Sequence, residues 1–358
     1  MAELRTYRIV TIAGDGIGPE IMESALEVLA ETERQVDGFH LVMEKHLGGV
    51  ASYERAGTPL SDESLEACRT ADAVLKAPVG LPWARRPDGT EVGLLGGVLR
   101  NGLDLYANVR PIRLWPGVNA PIKAEPGQID YVIVRENTEG LYLSRGLGIG
   151  NEHAMTDILM MTRKGVERIV HFAFQLARGR QGSPSDGVRR VTCVDKSNVL
   201  RSFWFFRQIF EQVGEEYPDI EKAYLYADAA AQALVQRPWD FDVLVMENFL
   251  GDILSDLGGG TIGGLGMCPS GNLGEQAAYF EPVHGTAPDI IGKGVANPLS
   301  QILSSAMMLE HLGEPKAAGR IRDAVWRSLD SGELTIQANG QPAGGTAGAT
   351  RAVIAHLN

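Results

Sequence analysis

Residues 241–256 read FDVLVMENFLGDILSD, and this stretch shows the pattern on which the chain is built. The apolar run Phe241–Met246 predicts a strand that leads into a helix beginning near Gly251. Further apolar runs predict strands at Tyr7–Ala13, Ala71–Val79, Gln128–Val134, Val188–Asp195 and Ala223–Tyr226. Amphipathic segments predict helices at Pro19–Gln35, Thr162–Arg178, Val199–Tyr217, Ala229–Gln236, Pro298–Leu312 and Pro315–Leu329. Strands that alternate with helices predict an α/β fold with much parallel pairing.

The bulk properties narrow the class of protein. A chain of 358 residues predicts two domains, or one large unit split in two. The formal net charge of -12 makes nucleic acid and anionic membranes poor partners, although locally concentrated cations could still bind an anionic substrate. We expect a cytoplasmic protein, because the separated cysteines fit a reduced environment. No signal peptide or spanning apolar run is visible. The three separated cysteines, Cys68, Cys193 and Cys268, indicate neither a zinc site nor disulfides.

Two segments of the chain are rich in glycine. Residues 14–19, GDGIGP, follow a predicted strand and precede a helix, but their spacing is GxGxG, and Pro19 stands where a dinucleotide fingerprint has its third glycine. No acidic residue ends a clear second strand about 20 residues later. We therefore reject a Rossmann pyrophosphate site in favour of a tight turn. Residues 258–266, GGGTIGGLG, are the best candidate for a hinge.

Three aspartates and one lysine occupy positions suited to binding a metal ion or another ligand. Asp252 and Asp256 have the i, i+4 spacing that puts two carboxylates on one helix face, where a hard cation such as Mg²⁺ or Mn²⁺ could lie between them. The alternative is a helix cap and a surface acid. Asp228 and Lys196 also follow predicted strands, and ligands of open α/β sheets bind beyond the carboxyl ends of strands.

Two further segments contain arginines that are candidates for binding an anionic substrate. Arg100 and Arg110 lie in residues 99–111, LRNGLDLYANVRP, and Arg135 lies in residues 132–137, VIVREN. Arginine forks bind carboxylates in a bidentate manner, so these three could hold an anionic substrate. Surface charge, or ion pairing with Asp104 and Glu136, is the alternative. Tyr142 could donate a proton or simply pack.

Taken together, these segments closely resemble the isocitrate/isopropylmalate dehydrogenase family of β-decarboxylating dehydrogenases. The likeness covers nearly the whole chain and is carried by residues 14–20, 105–111, 134–142, 251–256, 281–290 and 297–298. The resemblance implies an isopropylmalate dehydrogenase-like two-domain α/β fold with a mixed, largely parallel sheet and no Rossmann fold. Residues 1–105 and 263–358 would form a large cofactor-binding domain, and residues 106–262 a small domain for substrate binding and dimerisation.

The resemblance also assigns roles to matching residues. Arg100, Arg110 and Arg135 would bind the substrate carboxylates. Asp252 and Asp256 of one subunit and Asp228 of its partner would hold Mg²⁺ or Mn²⁺. The partner's Lys196 would act in proton transfer at the C2 hydroxyl, Tyr142 would protonate the carbon that loses CO₂, and Asn198 would lie near substrate and nicotinamide. Active sites shared in this way imply a homodimer that acts on a small-molecule substrate.

The cofactor preference follows from the segment after residues 284–288, HGTAP. In the family this segment contacts adenosine, and members that prefer NADP carry Lys and then Tyr where this chain has Asp289 and Ile290. A carboxylate accepts hydrogen bonds from a ribose 2′-hydroxyl and repels a 2′-phosphate, so NAD is expected. The complete set of expected cofactor contacts is Glu91, His284, Gly285, Thr286, Ala287, Asp289, Ile290 and Asn297.

The substituent on C3 of the substrate is expected to face the residues just before Arg100. Glu91, Leu94, Leu95 and Val199 resemble the alkyl-facing set of isopropylmalate dehydrogenases, which favours 3-isopropylmalate or another 3-alkylmalate. Isocitrate is disfavoured, because an apolar wall would leave its third carboxylate unpaired. Gly96 and Gly97 resemble an insertion relative to that subfamily, and residues 135–140, RENTEG, look more like the isocitrate, homoisocitrate and D-malate branches. D-malate or tartrate, and homoisocitrate or isocitrate, therefore remain alternatives.

An alternative function of a different kind is that of a non-catalytic regulatory subunit in a hetero-oligomeric dehydrogenase. Such subunits typically lose a catalytic lysine, a tyrosine or a metal-binding acid, and this chain has all of them. A non-decarboxylating relative that acts on a phosphorylated substrate is a further option, and the three arginines argue against it.

Overall fold

The computed structural model describes residues 4–86 and 89–358. Two short ranges, 1–3 and 87–88, lie outside the described residues. The first belongs to the segment in which no signal peptide is expected, and the second falls within the predicted cofactor-binding domain. The described residues form two compact units. Unit 1 contains Met1–Asp104, Trp115–Ala120 and Gly263–Asn358, and unit 2 contains Leu105–Leu114 and Pro121–Ile262.

The division of the chain differs in detail from the predicted domain boundaries. Leu105 belongs to unit 2, and Trp115–Ala120 returns to unit 1 although it falls inside the predicted small domain. Aromatic packing explains this return, because the rings of Trp115 and Trp326 lie 6.0 Å apart. The cofactor-binding and dimerisation roles of the two domains stay predictions.

The amino-terminal elements belong to unit 1. They are β1 (Arg5–Ile12), α1 (Gly18–Gln35), β2 (Phe39–His46), α2 (Val50–Ala56), α3 (Asp62–Thr70), β3 (Ala73–Lys76) and α4 (Gly96–Gly102). The middle elements belong to unit 2. They are β4 (Ala107–Arg113), β5 (Asp130–Glu136), β6 (Ile149–Asn151), β7 (Ala154–Thr156), α5 (Arg163–Gly179), β8 (Arg190–Asp195), α6 (Arg201–Gly214), β9 (Glu221–Tyr226), α7 (Ala227–Gln236), β10 (Val243–Met246) and α8 (Asn248–Thr261).

The last elements complete unit 1. They are β11 (Pro269–Leu273), β12 (Ala278–Pro282), α9 (Leu299–His311), α10 (Pro315–Asp330) and α11 (Gly345–Ala355). Short 3₁₀ helices lie at Leu141–Ser144, Pro238–Asp240, Leu265–Met267 and Pro288–Ile290. Among the described residues, no helix is both long and apolar enough to cross a membrane.

The pairing of strands is similar in the two units. Unit 1 has the order β2-β1-β3-β12-β11, in which only β11 runs antiparallel to its neighbour β12. Unit 2 has the order β4-β5-β10-β8-β9, in which only β4 runs antiparallel to its neighbour β5. The predicted α/β class with mixed, largely parallel pairing is confirmed. Strands buried on both faces explain the apolar runs, since all four residues of β10 are buried.

The local predictions were correct for most elements and wrong for some. Thr162 caps α5 as expected, because its hydroxyl oxygen accepts a hydrogen bond from the Gly165 N–H at 3.0 Å. The hinge prediction for residues 258–266 was wrong for its first half, because residues 258–261 form the last turn of α8. Helix α8 also begins earlier than expected, at Asn248, and Glu247 is its cap.

Candidate active site

Two buried arginines lie on the adjacent antiparallel strands β4 and β5. Arg110 is 5% exposed and Arg135 is 1% exposed. The Arg110 Nε donates to Asn108 Oδ1 at 2.7 Å, and its Nη1 donates to Ser255 Oγ at 2.6 Å. Asn248 Oδ1 accepts from Nε and Nη2 of Arg135 at 3.0 and 2.8 Å. Each guanidinium is therefore held in one orientation by polar side chains of the same unit.

The carboxylates of α8 meet these two arginines. Asp256 Oδ1 lies 3.2 Å from Arg110 Nη1, and Asp252 Oδ1 lies 3.5 Å from Arg110 Nη2. Arg135 also forms an ion pair with Asp252. The backbone at Gly251 makes this possible, because a Cβ there would lie 2.5 Å from Arg135 Cγ. Acids of α8 are therefore partners of both arginines.

Tyr142 joins the same group of side chains. Its hydroxyl donates to Asp252 Oδ2 at 2.7 Å. Burial, and then the hydrogen bond to Asp252, raise the pKa of Tyr142 to about 12, so the phenol stays protonated near neutral pH. The preceding turn is held by Glu247, whose Oε1 accepts from the Leu141 N–H at 3.0 Å. A Cβ at Gly140 would lie 2.0 Å from that oxygen, so the turn requires glycine.

The acids of α8 have the chemistry expected of ligands for a hard divalent cation. The Asp252 and Asp256 side chains are 35% and 51% exposed, so their oxygens can still be reached from solvent. The pKa of Asp256 is raised overall. Burial raises it most, Arg110 lowers it, and the charge of Asp252 raises it further. Two carboxylates that repel one another and rest on fixed arginines would gain from a cation between them. The residues present therefore fit Mg²⁺ or Mn²⁺.

Lys196 and Asp228 form a second group in unit 2. Lys196 directly follows β8, and Asp228 lies in the first turn of α7, directly after β9. Lys196 Nζ lies 2.5 Å from Asp228 Oδ1. This hydrogen bond to Lys196 lowers the pKa of Asp228. Parallel pairing of β8 with β9 places the two strand ends side by side, which explains the contact.

No three side chains of the types that bind metals gather in residues 4–86 and 89–358. Within one chain, the structure thus joins Asp252 and Asp256 to Arg110, Arg135 and Tyr142, and it joins Asp228 to Lys196. Asn198 and Val199 are exposed in the turn that follows Lys196. The assignment of Asp228 and Lys196 to the active site of a partner subunit stays a prediction.

Arg100 is fixed within unit 1 by residues of β12. Its Nε donates to the Tyr279 hydroxyl at 3.1 Å, and its Nη2 lies 3.4 Å from Glu281 Oε1. The same carboxylate pairs through Oε2 with Lys76 Nζ at 2.6 Å. Burial alone would raise the pKa of Glu281, but Lys76 and Arg100 outweigh it and lower that pKa to about 2. Glu281 is therefore an ionised partner of both cations at neutral pH.

The residues expected to face the C3 substituent occupy different environments. Leu94 is 40% exposed, whereas Leu95 is fully buried. A Cβ on Gly48 would lie 2.8 Å from Leu95 Cδ1, so Leu95 packs in the core of unit 1. Of the two leucines, the structure leaves Leu94 accessible to a ligand. Glu91 forms an ion pair with Arg85, with 3.2 Å between Oε1 and Nη2.

The segment expected to bind the cofactor is a loop that follows β12. Thr286 anchors this loop, because its hydroxyl donates to the Gly80 carbonyl at 2.8 Å. His284 donates from Nδ1 to the Gly285 carbonyl at 2.9 Å, and burial lowers the pKa of its imidazole. Ala287 has a positive φ of 42°, and Asp289 beyond it is exposed. Asn297 is turned inward, where its Nδ2 donates to the Gly340 carbonyl at 3.2 Å.

Asp15 is a residue whose role the sequence did not reveal. Its Oδ2 accepts from the Gly80 N–H at 2.7 Å, and its Oδ1 accepts from the Val50 N–H at 3.0 Å. The next residues continue this junction, since the Ile17 N–H donates to the Thr286 carbonyl at 3.1 Å. Residues 14–19 therefore form hydrogen bonds to three other segments of unit 1, at Val50, Gly80 and Thr286. The sequence signal that could have indicated this role was an acidic residue inside a glycine-rich turn after a strand.

Comparisons with known proteins agree with this architecture. A profile of the isocitrate/isopropylmalate dehydrogenase family matches residues 8–353. The chain is 41% identical to the 3-isopropylmalate dehydrogenase of Streptococcus mutans, over 98% of this chain and 99% of that protein. It is also 41% identical to the enzyme of that name from Aquifex aeolicus, over 93% and 91%.

A solved structure is similar over the same length. The crystal structure of isocitrate dehydrogenase from Methylococcus capsulatus superimposes with a TM-score of 0.86 at 39% identity, covering 98% of this chain and 99% of that chain. The class is that of decarboxylating dehydrogenases acting on a CH–OH group. The chain belongs to the isocitrate/isopropylmalate dehydrogenase family.

Proposed function

We propose that the protein uses NAD⁺ and a divalent cation to oxidise and decarboxylate a (2R)-malate-type hydroxy acid, with 3-isopropylmalate or another 3-alkylmalate as the leading substrate. The observation that carries the proposal is the cluster in unit 2, where Tyr142 and the buried Arg110 and Arg135 surround Asp252 and Asp256. Cations for a carboxylate, oxygen ligands for a metal and a proton donor lie there in direct contact. The five residues stand on β4, β5, α8 and one short turn.

The chain supplies binding, orientation and proton transfer. Arg110 and Arg135 are held on their buried sides by Asn108, Ser255 and Asn248, so a substrate carboxylate would meet them without much further ordering. Tyr142, protonated at neutral pH, would give its proton to the carbon that loses CO₂. Lys196, supplied by a partner subunit, would accept the proton of the C2 hydroxyl.

The cofactors supply the remaining chemistry. When bound, a divalent cation draws charge from the C2 oxygen and NAD⁺ accepts the hydride from C2. Asp252 and Asp256, with the partner's Asp228, would hold the cation. The loop of residues 284–290 and Glu91 would hold NAD⁺. A homodimer with shared active sites follows from this division of ligands, and the contact between Lys196 and Asp228 supports it, because the two would be donated together.

The relatives and the residues before Arg100 bear on the choice of substrate. The names of the relatives from Streptococcus mutans and Aquifex aeolicus favour 3-isopropylmalate. The isocitrate dehydrogenase of Methylococcus capsulatus is nearly as similar, which keeps isocitrate as an alternative. The burial of Leu95 reduces the apolar surface available before Arg100 and so gives some weight to D-malate, which has no C3 substituent.

A panel assay tests the proposal. NADH formation is measured with Mn²⁺ and each of 3-isopropylmalate, D-malate, tartrate, isocitrate and homoisocitrate. We expect one substrate, with 3-isopropylmalate first, to exceed the others at least about tenfold in kcat/KM, the ratio that corresponds to about 1.4 kcal/mol of transition-state binding. Absence of turnover with every acid would contradict the proposal and favour a regulatory subunit.

The cofactor preference is tested separately by Asp289→Lys. The exposed lysine would attract the 2′-phosphate that the aspartate repels, so the ratio of kcat/KM for NADP⁺ to that for NAD⁺ should rise at least about tenfold. Asp323→Asn, a change to another acid of unit 1 that lies outside the loop, serves as the control and should leave the ratio unchanged. An unchanged ratio in Asp289→Lys would refute the assignment of this loop to the adenosine ribose.

A further inference from the structure

A connected set of buried polar side chains in unit 1 is built around Glu281. Its Oε2 pairs with Lys76 Nζ at 2.6 Å. Its Oε1 accepts from the Tyr279 hydroxyl at 2.9 Å, from Asn272 Nδ2 at 3.3 Å and from Arg100 Nη2 at 3.4 Å. We refer to Lys76, Tyr279, Glu281 and Asn272 as the Glu281 cluster.

Strand register brings these residues together. Tyr279 and Glu281 are two residues apart on β12 and therefore point to the same face. The parallel pairing of β12 with β3 sets Phe280 opposite Leu75, so Lys76 and Glu281 both follow that pair at the carboxyl ends of their strands. The antiparallel β11 sets Asn272 opposite Tyr279. The cluster is therefore part of the rigid sheet and needs no loop to form it.

Tyr279 is the link between the cluster and Arg100. Its hydroxyl is fully buried and donates its one proton to Glu281, so it meets Arg100 Nε as an acceptor at 3.1 Å. Arg100 is thus held at two points, Nε and Nη2, along one edge of the guanidinium. Two contacts on one edge fix the plane of the group as well as its position. A single ion pair would allow the plane to rotate.

Burial makes this arrangement costly to break. The Lys76, Glu281 and Arg100 side chains are 3%, 13% and 14% exposed. Removal of one member would leave another charge buried without its partner, which is strongly unfavourable. Arg100 is the most exposed of the three and lies on the short helix α4. The cluster therefore supports Arg100 from the protein side.

We propose that Tyr279, Glu281 and Lys76 are positioning residues that hold the Arg100 guanidinium in the plane required to receive a carboxylate of the substrate. The proposal rests on the function proposed above through the role of Arg100, and it assigns to the Glu281 cluster a task in binding the hydroxy acid rather than the cofactor. None of the three needs to touch the substrate.

Tyr279→Phe is the sharpest test, because it removes one hydroxyl and keeps the buried ring. Loss of the link should raise KM for the hydroxy acid about three- to tenfold, the range expected for the net contribution of one hydrogen bond, and should leave KM for NAD⁺ within about twofold. Lys76→Met, which removes the ion pair at the other oxygen of Glu281, should give the same pattern as Tyr279→Phe, with KM for the hydroxy acid raised and KM for NAD⁺ within about twofold. Thermal unfolding of each variant is measured in parallel.

Tyr217→Phe is the matched control. Tyr217 is also buried, and its hydroxyl bonds to His171 in unit 2 at 3.0 Å. This variant loses the same chemical group, so it should show a comparable change in Tm and an unchanged KM for the hydroxy acid.

The possible failures are distinguishable. An inactive wild-type protein would refute the proposed function itself. With an active wild type, the positioning role is wrong if Tyr279→Phe leaves KM for the hydroxy acid unchanged. It is equally wrong if only KM for NAD⁺ rises, or if both KM values rise together with a fall in Tm larger than that of Tyr217→Phe.

Discussion

The two units hold their arginines in different ways. In unit 1, Arg100 rests on Glu281, an acid whose pKa is lowered to about 2 and whose other oxygen is already bound by Lys76. In unit 2, Arg110 and Arg135 rest on Asp252 and Asp256, whose side chains are 35% and 51% exposed. The partner of Arg100 is thus a fixed internal anion, whereas the partners in unit 2 can still be reached by a ligand.

This difference separates two tasks that involve the same kinds of side chain. A buried, fully bonded acid can orient an arginine but cannot also bind a metal ion, because its oxygens are occupied. A half-exposed acid on a helix face can do both in succession. The comparison predicts that substitutions in unit 2 affect chemistry and metal binding, whereas substitutions around Glu281 affect substrate KM and stability.

The largest effect is expected at the two residues proposed to transfer protons. Tyr142→Phe and Lys196→Met should each lower kcat about 10²- to 10⁴-fold, the range for loss of a general acid or base. Steady-state kinetics with the best substrate of the panel measures this loss. If either variant kept more than about a tenth of the wild-type kcat, its residue would not be the acid or base of the reaction.

The second effect concerns the metal. Asp252→Asn and Asp256→Asn should both weaken Mn²⁺ binding by at least about tenfold, and removal of metal from the wild type with a chelator should abolish turnover until Mn²⁺ is restored. Asp252→Asn should also lower kcat more than Asp256→Asn does, because Asp252 accepts a hydrogen bond from the Tyr142 hydroxyl. Calorimetric titration with Mn²⁺ measures the binding directly. Full turnover of the chelated wild type would contradict a role for the metal.

The third effect is on stability and tests the fixed anion of unit 1. The pKa of Glu281 is lowered on folding from 4.5 to about 2, so the stabilisation is present above pH 4.5 and is lost as the pH falls toward 2. Glu281→Gln should therefore unfold more easily than the wild type at pH 7, by roughly 3 kcal/mol. Denaturant unfolding at pH 7, 5 and 4 should show the gap beginning to narrow at the lowest pH. A constant gap would mean that the charge of Glu281 is not what stabilises the fold.

Much of the fold followed from periodicity, and the exceptions have physical causes. The apolar runs of β8 and β10 are central strands that any sequence pattern would reveal. Strand β2, Phe39–His46, was missed because it alternates buried and polar residues at the edge of its sheet. For that reason the absence of a clear second strand was a weak ground for rejecting a Rossmann site, although the rejection itself agrees with the family.

The candidate site was predictable in its residues and not in its pairings. The i, i+4 spacing brought Asp252 and Asp256 to one helix face, and strand ends pointed to Lys196 and Asp228. That the acids of α8 would meet Arg110 and Arg135 depends on how the helix packs on β4 and β5, and no local pattern encodes this. Likewise, nothing in the sequence distinguishes Leu94 from Leu95, of which only the second is in the core.

Subunit complementation most directly tests the proposal that two subunits share each active site. Tyr142→Phe and Lys196→Met chains, each inactive alone, are co-expressed with different affinity tags, and the heterodimer is isolated through both tags. One of its two sites would combine both defects and the other would have none, so the heterodimer should recover about half of the wild-type kcat. A heterodimer as inactive as its parents would show that Lys196 and Tyr142 do not serve one site from opposite chains.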